Sequence, residues 1–168
     1  MARRATVYAT DLDGTLLGED ARLSERTRAG LQALLDEGLM LTAATARNIV
    51  SMRPILEGVR LSLPVVNMNG AFVSDLATGR HLLTNALVPG TAADLYGWLR
   101  DRGRVPFVST FDGSSDRLYY VSVRNPGMGW YVEDRSRNGD SRLRRTDDLE
   151  AALRGLLADS PADLAAQL

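Results

Sequence analysis

Cysteine is absent from this 168-residue chain, which excludes disulfides and thiolate metal sites. No apolar stretch approaches the roughly 20 residues needed to span a bilayer, so no membrane partner is expected. An excess of charge of either sign is missing too. The net charge is −1, and no electrostatic footprint for nucleic acid results. Neither an internal repeat nor a low-complexity tract stands out. No signal peptide is visible, because Met1-Ala2-Arg3-Arg4 leads straight into a strand, and the cytoplasm is the default compartment. What remains is ordinary for a globular protein, with 45% hydrophobic and 24% charged residues. The length suits one domain or one and a half.

The most informative stretch is Asp11-Leu12-Asp13-Gly14-Thr15-Leu16-Leu17. It follows Thr6-Val7-Tyr8-Ala9-Thr10, whose β-branched and aromatic content reads as a buried strand. Two carboxylates two residues apart at the end of a strand can point the same way. Gly14 lets the backbone turn sharply without a Cβ penalty. Taken alone, Asp-x-Asp-Gly is also an ordinary turn signal. A second apolar strand, Leu39-Met40-Leu41-Thr42-Ala43-Ala44, ends at Thr45-Ala46-Arg47, and a Thr there is by itself an ordinary helix N-cap. A third, Leu63-Pro64-Val65-Val66-Asn67-Met68, ends at Asn69-Gly70-Ala71, by itself a turn.

Helices are expected between these strands. Ser24 can cap one that runs through Glu37, with Leu31, Leu34 and Leu35 on one face and Gly38 as its stop. Another spans about Asn48 to Glu57, bent or restarted at Pro54. The β-α-β-α-β order predicts a parallel sheet with right-handed crossovers. The pattern then changes. Ala71–Asp75 and His81–Thr84 flank Leu76–Arg80 as a β-hairpin. A helix from about Thr91 to Arg102 turns Leu95, Trp98 and Leu99 inward and stops at Gly103. Strand candidates Val105–Phe111 and Arg117–Val123 follow, then a weakly helical Met128–Asp134. A helix over Asp147–Leu157 carries an Asp147/Glu150 capping box, and Ser160-Pro161-Ala162-Asp163 opens one more. His81, the only histidine, reads as structural. Trp98, Trp130 and Tyr131 read as core, Arg142, Arg144 and Arg145 as a solvated face, and Glu19 and Asp20 as exposed.

In order and spacing, D-x-D-G-T-L-L, Thr45-Ala46-Arg47 and Asn69-Gly70-Ala71 resemble the opening motifs of the haloacid dehalogenase-like (HAD) phosphatases, in their Cof-type branch. The resemblance is clear from about Thr6 to Asp75 and diffuse after it. Cof-type members usually carry Thr-Gly-Arg where this chain has Thr45-Ala46-Arg47. The resemblance implies an α/β fold: a Rossmann-like parallel-sheet core over residues 1–85, and an inserted α+β cap domain over residues 86–168, both partial. It implies that Asp11 is a nucleophile and Asp13 a general acid/base. Leu12, Thr45, Arg47, Asn69 and Gly70 would line the phosphate or substrate, and Asp11 and the Asp13 carbonyl would hold Mg²⁺. The partner would be a small phosphorylated metabolite, with sugar phosphates as a family-level guess.

The family pattern also calls for a Lys that neutralises the phosphoryl group and a Gly-Asp-x-x-Asn-Asp-like metal loop. The chain has no lysine for the first role. Asn138-Gly139-Asp140 lacks the following Asn-Asp, and Asp147-Asp148 opens a helix. The chain is therefore expected to stop in mid-domain, to bind Mg²⁺ weakly, and to show little or no turnover by itself. An unpaired sheet edge would favour self-association. Two other readings stay open: a non-catalytic HAD-like remnant that binds phosphate or metal weakly, and an Asp-phosphoacceptor signalling module.

Overall fold

Val7–Thr10 forms strand β1 and Met40–Ala43 forms β2, paired in parallel with Val7 opposite Met40 and Thr10 opposite Ala43. In the computed structural model, which describes residues 5–137 and 139–152, the chain divides between Ala86 and Leu87 into two compact units. In the first unit, Leu41, Thr42 and Ala43 of β2 are all buried, as an interior strand of a parallel sheet requires. By contrast, Val7 and Tyr8 of β1 are each 53% exposed, and β2 is the only strand paired with β1 among the described residues.

Strand β3 (Val65–Asn67) continues the parallel arrangement only locally, through a bridge between Ala44 and Val66. Its main partner is antiparallel. It pairs with β4 (Phe72–Ser74), which pairs in turn with β5 (His81–Thr84). The expected hairpin is present, and Asp75 Oδ1 closes its turn by accepting from the Thr78 amide at 2.7 Å. The helices between the strands start where their caps place them. Ser24 Oγ accepts from the Thr27 amide at 3.1 Å to open α1 (Glu25–Asp36). Gly38, at φ +95°, ends it. Leu31 is buried and Leu35 packs on the core, but Leu34 is 50% exposed. The inward stripe is narrower than the leucine spacing suggested. Asn48 Oδ1 accepts from the Ser51 amide to open α2 (Ile49–Ile55), which contains Pro54 and stops one residue after it.

The core of this unit gathers Leu12, Leu17 and Leu23 from the segment after β1, Leu31, Leu41, Ala43, Ile49, Met52, Leu56, Val59 and Val65. Met52 is fully buried. Replacing it with Ala deletes buried methylene and thioether contacts and leaves a void, so Met52→Ala should lower unfolding stability by about 2–5 kcal/mol. Urea melts of the two proteins measure this, and a loss below ~1 kcal/mol would show that the site collapses around the smaller side chain.

The second unit opens with α3 (Pro89–Asp101). Strands β6 (Val108–Phe111) and β7 (Asp116–Tyr120) form an antiparallel pair, and β8 (Leu143–Arg145) joins β7 in parallel after α4 (Pro126–Arg137). Phe107 packs on Tyr120 and Tyr131, with ring centroids 5.8 and 4.7 Å apart. Several sequence readings are corrected here. Leu95, Trp98 and Trp130 are exposed rather than core, and Arg102 lies 4.0 Å over the Trp98 ring. Amphipathic spacing marked a face that no described element of this unit covers. Arg142 is not solvated. Its guanidinium is largely buried between Asp116 at 2.6 Å and Asp140 at 2.5 Å. Burial pushes the Asp140 carboxyl up, but hydrogen bonds from Arg142 outweigh it and hold the group below the usual carboxylate range. Asp140 is thus an ion-pair partner. The cap near residue 148 is also shifted: Asp148 Oδ1, not Asp147, accepts from the Ala151 amide, and Glu150 pairs with Arg100 at 2.9 Å. The expected helix start at Ser160-Pro161 lies outside the described residues, as does the end of the Asp147–Leu157 helix. No described helix is long and apolar enough to cross a membrane.

Candidate active site

Asp11 leaves the carboxyl end of β1 in an extended conformation, and the chain then makes one wide turn over Leu12–Leu16, closed by Leu17 N–H donating to the Leu12 carbonyl at 2.9 Å. Gly14 takes φ +72° inside that turn, a conformation that disfavours any side chain. The buried Leu12 anchors the turn in the core. Asp11 and Asp13 are exposed on either side of it. The Asp11 carboxylate accepts from the Leu12 amide at 2.7 Å, so in this state that amide is turned to Asp11 itself.

The second loop lies beside the first because of the strand register. Ala44 N–H donates to the Thr10 carbonyl at 2.8 Å, so Thr45 follows immediately beside Asp11 at the same sheet edge. Thr45 is buried, and its Oγ1 accepts from the Arg47 amide at 3.2 Å. Three backbone hydrogen bonds then tie this loop to β3 and the turn after it. Thr45 N–H donates to the Val66 carbonyl, Met68 N–H to Arg47, and Asn69 N–H to Thr45, at 2.9–3.2 Å. Met68 and Asn69 sit at φ +52° and +56°, ahead of Gly70 at +90°. The strained path is what allows both amides to reach back. All the candidate residues therefore lie along the carboxyl ends of β1, β2 and β3.

One contact across the loops is direct. Arg47 grips Asp13 in a bidentate pair, Nε to Oδ2 at 2.7 Å and Nη2 to Oδ1 at 2.6 Å. Hydrogen bonds from that guanidinium hold the Asp13 carboxyl below its ordinary range; the slight burial of the group acts the other way. Among the described residues no three His, Cys, Asp or Glu side chains are grouped so as to hold a metal ion. The donors that do stand here, the Asp11 carboxylate and the Asp13 backbone carbonyl, are hard oxygens of the kind Mg²⁺ prefers.

A family model described as haloacid dehalogenase-like hydrolase matches residues 8–151. The chain belongs to the haloacid dehalogenase-like hydrolases. It is 37% identical over 142 residues to an HMP-PP phosphatase of Escherichia coli, covering 74% of this chain and 52% of that protein. It is 40% identical over 73 residues to a 5-amino-6-(5-phospho-D-ribitylamino)uracil phosphatase of Bacillus subtilis, covering 44% of this chain and 27% of that one. The chain thus spans about half or less of the length of these curated relatives. A haloacid dehalogenase-like hydrolase from Bacillus subtilis shares its fold, with a TM-score of 0.66 at 19% identity over 87% of this chain and 55% of the other. The α/β fold with a parallel sheet is that of the family.

Asn67 was passed over in the sequence as part of an apolar strand. It is fully buried at the end of β3, next to the site loops. The available signal was its polarity: an amide ending a run of valines must find partners inside the protein or cost free energy.

Proposed function

We propose that the protein is a Mg²⁺-dependent phosphomonoester hydrolase acting on a small phosphorylated metabolite, with sugar phosphates the first substrates to try. The observation that carries this reading is the single sheet edge shared by Asp11, the Asp13–Arg47 pair and the Thr45 loop. Phosphoryl transfer asks a protein mainly for positioning and charge neutralisation. A carboxylate oxygen of Asp11 attacks phosphorus as the bond to the leaving oxygen breaks, giving an aspartyl-phosphate. Asp13 protonates the leaving oxygen. Asp13, now ionised, then takes a proton from a water that attacks the same phosphorus, which releases inorganic phosphate and restores Asp11. Thr45, the Asn69–Gly70 turn and the Leu12 amide hold the transferring oxygens, and Arg47 carries the balancing positive charge. Mg²⁺, held by the Asp11 carboxylate and the Asp13 carbonyl, would supply further positive charge against the phosphoryl group.

The test is release of inorganic phosphate from a generic phosphomonoester by the purified protein, with Mg²⁺ and with a chelator. Mg²⁺-dependent release is expected of a form that also supplies the lysine and the acidic metal loop, while residues 1–168 alone should release little or none. If that longer form binds phosphate but releases none in Mg²⁺, the protein is a non-catalytic remnant. A stable phosphate on Asp11 would instead make it a phosphoacceptor module.

A further inference from the structure

We propose that Asn67, oriented by Ser74 and His81, is a positioning residue for the Thr45–Arg47 loop; this rests on the reading that this loop holds the phosphoryl group. Asn67 and Ser74 are fully buried, one on β3 and one on β4. The Asn67 amide satisfies all its neighbours in one orientation. Its oxygen accepts from the Ile49 amide at 3.2 Å, while its nitrogen donates to the Phe72 carbonyl and to Ser74 Oγ, both at 3.0 Å. Ser74 Oγ lies 2.7 Å from His81 Nδ1. With the Asn67 nitrogen donating to Ser74 Oγ, the Ser74 proton is free to go to His81, and the relay takes Nδ1 as its acceptor. The His81 ring is held in place by stacking on Phe72, at 3.9 Å between centroids and 11° between planes.

The donors therefore run in one direction, from the Ile49 amide through Asn67 and Ser74 to His81. Ile49 is the first residue of α2, two residues beyond Arg47. The loop's other ties to β3 and the turn after it are backbone bonds at Thr45 and Arg47. Asn67 adds a tie made by a side chain, and that side chain has its amide orientation fixed from the β4–β5 hairpin. A buried valine would fill the same strand position without polar atoms. An amide here is explained by what it grips.

The experiment compares two variants that separate packing from hydrogen bonding. His81→Phe keeps a ring to stack on Phe72 and removes the acceptor. His81→Asn loses the ring and can place an acceptor near the Nδ1 position. Both act at a half-buried residue, so folding is retained, whereas Asn67→Ala would empty a fully buried position. The readouts on the ¹⁵N-labelled protein are hydrogen exchange at the Ile49 amide and titration of the Thr45 and Arg47 amide resonances with inorganic phosphate. His81→Phe should speed Ile49 exchange and weaken phosphate binding by about 3–10-fold, the worth of one hydrogen bond. His81→Asn should restore both to within about 2-fold. The reverse ranking, or equal Ile49 exchange in all three proteins, overturns the relay. If phosphate leaves the wild-type Thr45 and Arg47 resonances unmoved while Ile49 exchange still ranks as expected, the phosphate-site reading fails and the relay survives only as architecture.

Discussion

In a form of the protein that also supplies the lysine and metal loop and hydrolyses phosphomonoesters, Asp11→Asn should abolish phosphate release, with a loss on the order of 10⁴-fold or more, the scale seen when a covalent nucleophile is removed. The substitution is nearly isosteric. Asp11 is exposed, and its carboxylate accepts from the neighbouring Leu12 amide, a hydrogen bond the Asn oxygen can still accept. Folding should survive, so the loss reports chemistry alone. An amide oxygen is a far poorer nucleophile than a carboxylate and forms no stable acyl phosphate. Steady-state turnover, with circular dichroism as the control for folding, makes the measurement. Turnover within 10-fold of wild type would remove Asp11 from the nucleophile's role and leave Asp13 as the sole carboxylate of the motif with any claim to it.

How much of this was legible beforehand depends on how local the signal is. The turn after β1 is specified by the short run Asp11-Leu12-Asp13-Gly14, so residue types alone placed the carboxylates at a strand's end. The caps of α1 and α2 are equally local: Ser24 and Asn48 each satisfy an amide three residues on. The Arg47–Asp13 pair was not legible, because it joins residues 34 apart through a sheet register that no short window contains. The antiparallel attachment of β3 to β4 likewise follows from Asn69 and Gly70 reversing the chain through positive φ, a property of the folded loop. In the second unit, hydrophobic spacing misled at apolar positions such as Leu95 and Trp98, which are exposed there. Spacing identifies a face but does not say whether anything covers it. Arg142 failed for the opposite reason: it is long and charged, yet it is largely buried because two carboxylates converge on it.

Asp13→Asn should cost roughly 10²–10⁴-fold in turnover, the usual worth of a positioned acid/base. The loss depends on the leaving group. A phosphoester whose alcohol is acidic departs without a proton, so for such a substrate the loss should fall toward the lower bound, whereas an alkyl phosphate should show the full effect. The Arg47 pair sharpens this. In the state described, that guanidinium holds the Asp13 carboxyl ionised, the wrong form for donating a proton. A bound phosphoryl group competes for Arg47 and brings its own negative charge, and both effects raise the Asp13 pKa toward the protonated form. Removing Arg47 in the free protein should mimic the first of them. In Arg47→Ala the Asp13 carboxyl should titrate at higher pH than in wild type, as read from its ¹³C resonance in metal-free protein. Because the acid must enter the first step protonated, the alkaline limb of kcat/KM that reports Asp13 should move the same way, to higher pH. Arg47→Ala turnover would still be low, since the charge that balances the phosphoryl group is gone. An unchanged Asp13 titration in Arg47→Ala would mean that the bidentate pair does not set this acid's pKa. An alkyl phosphate cleaved by Asp13→Asn as fast as an activated ester, each relative to wild type, would mean that Asp13 does not protonate the leaving oxygen.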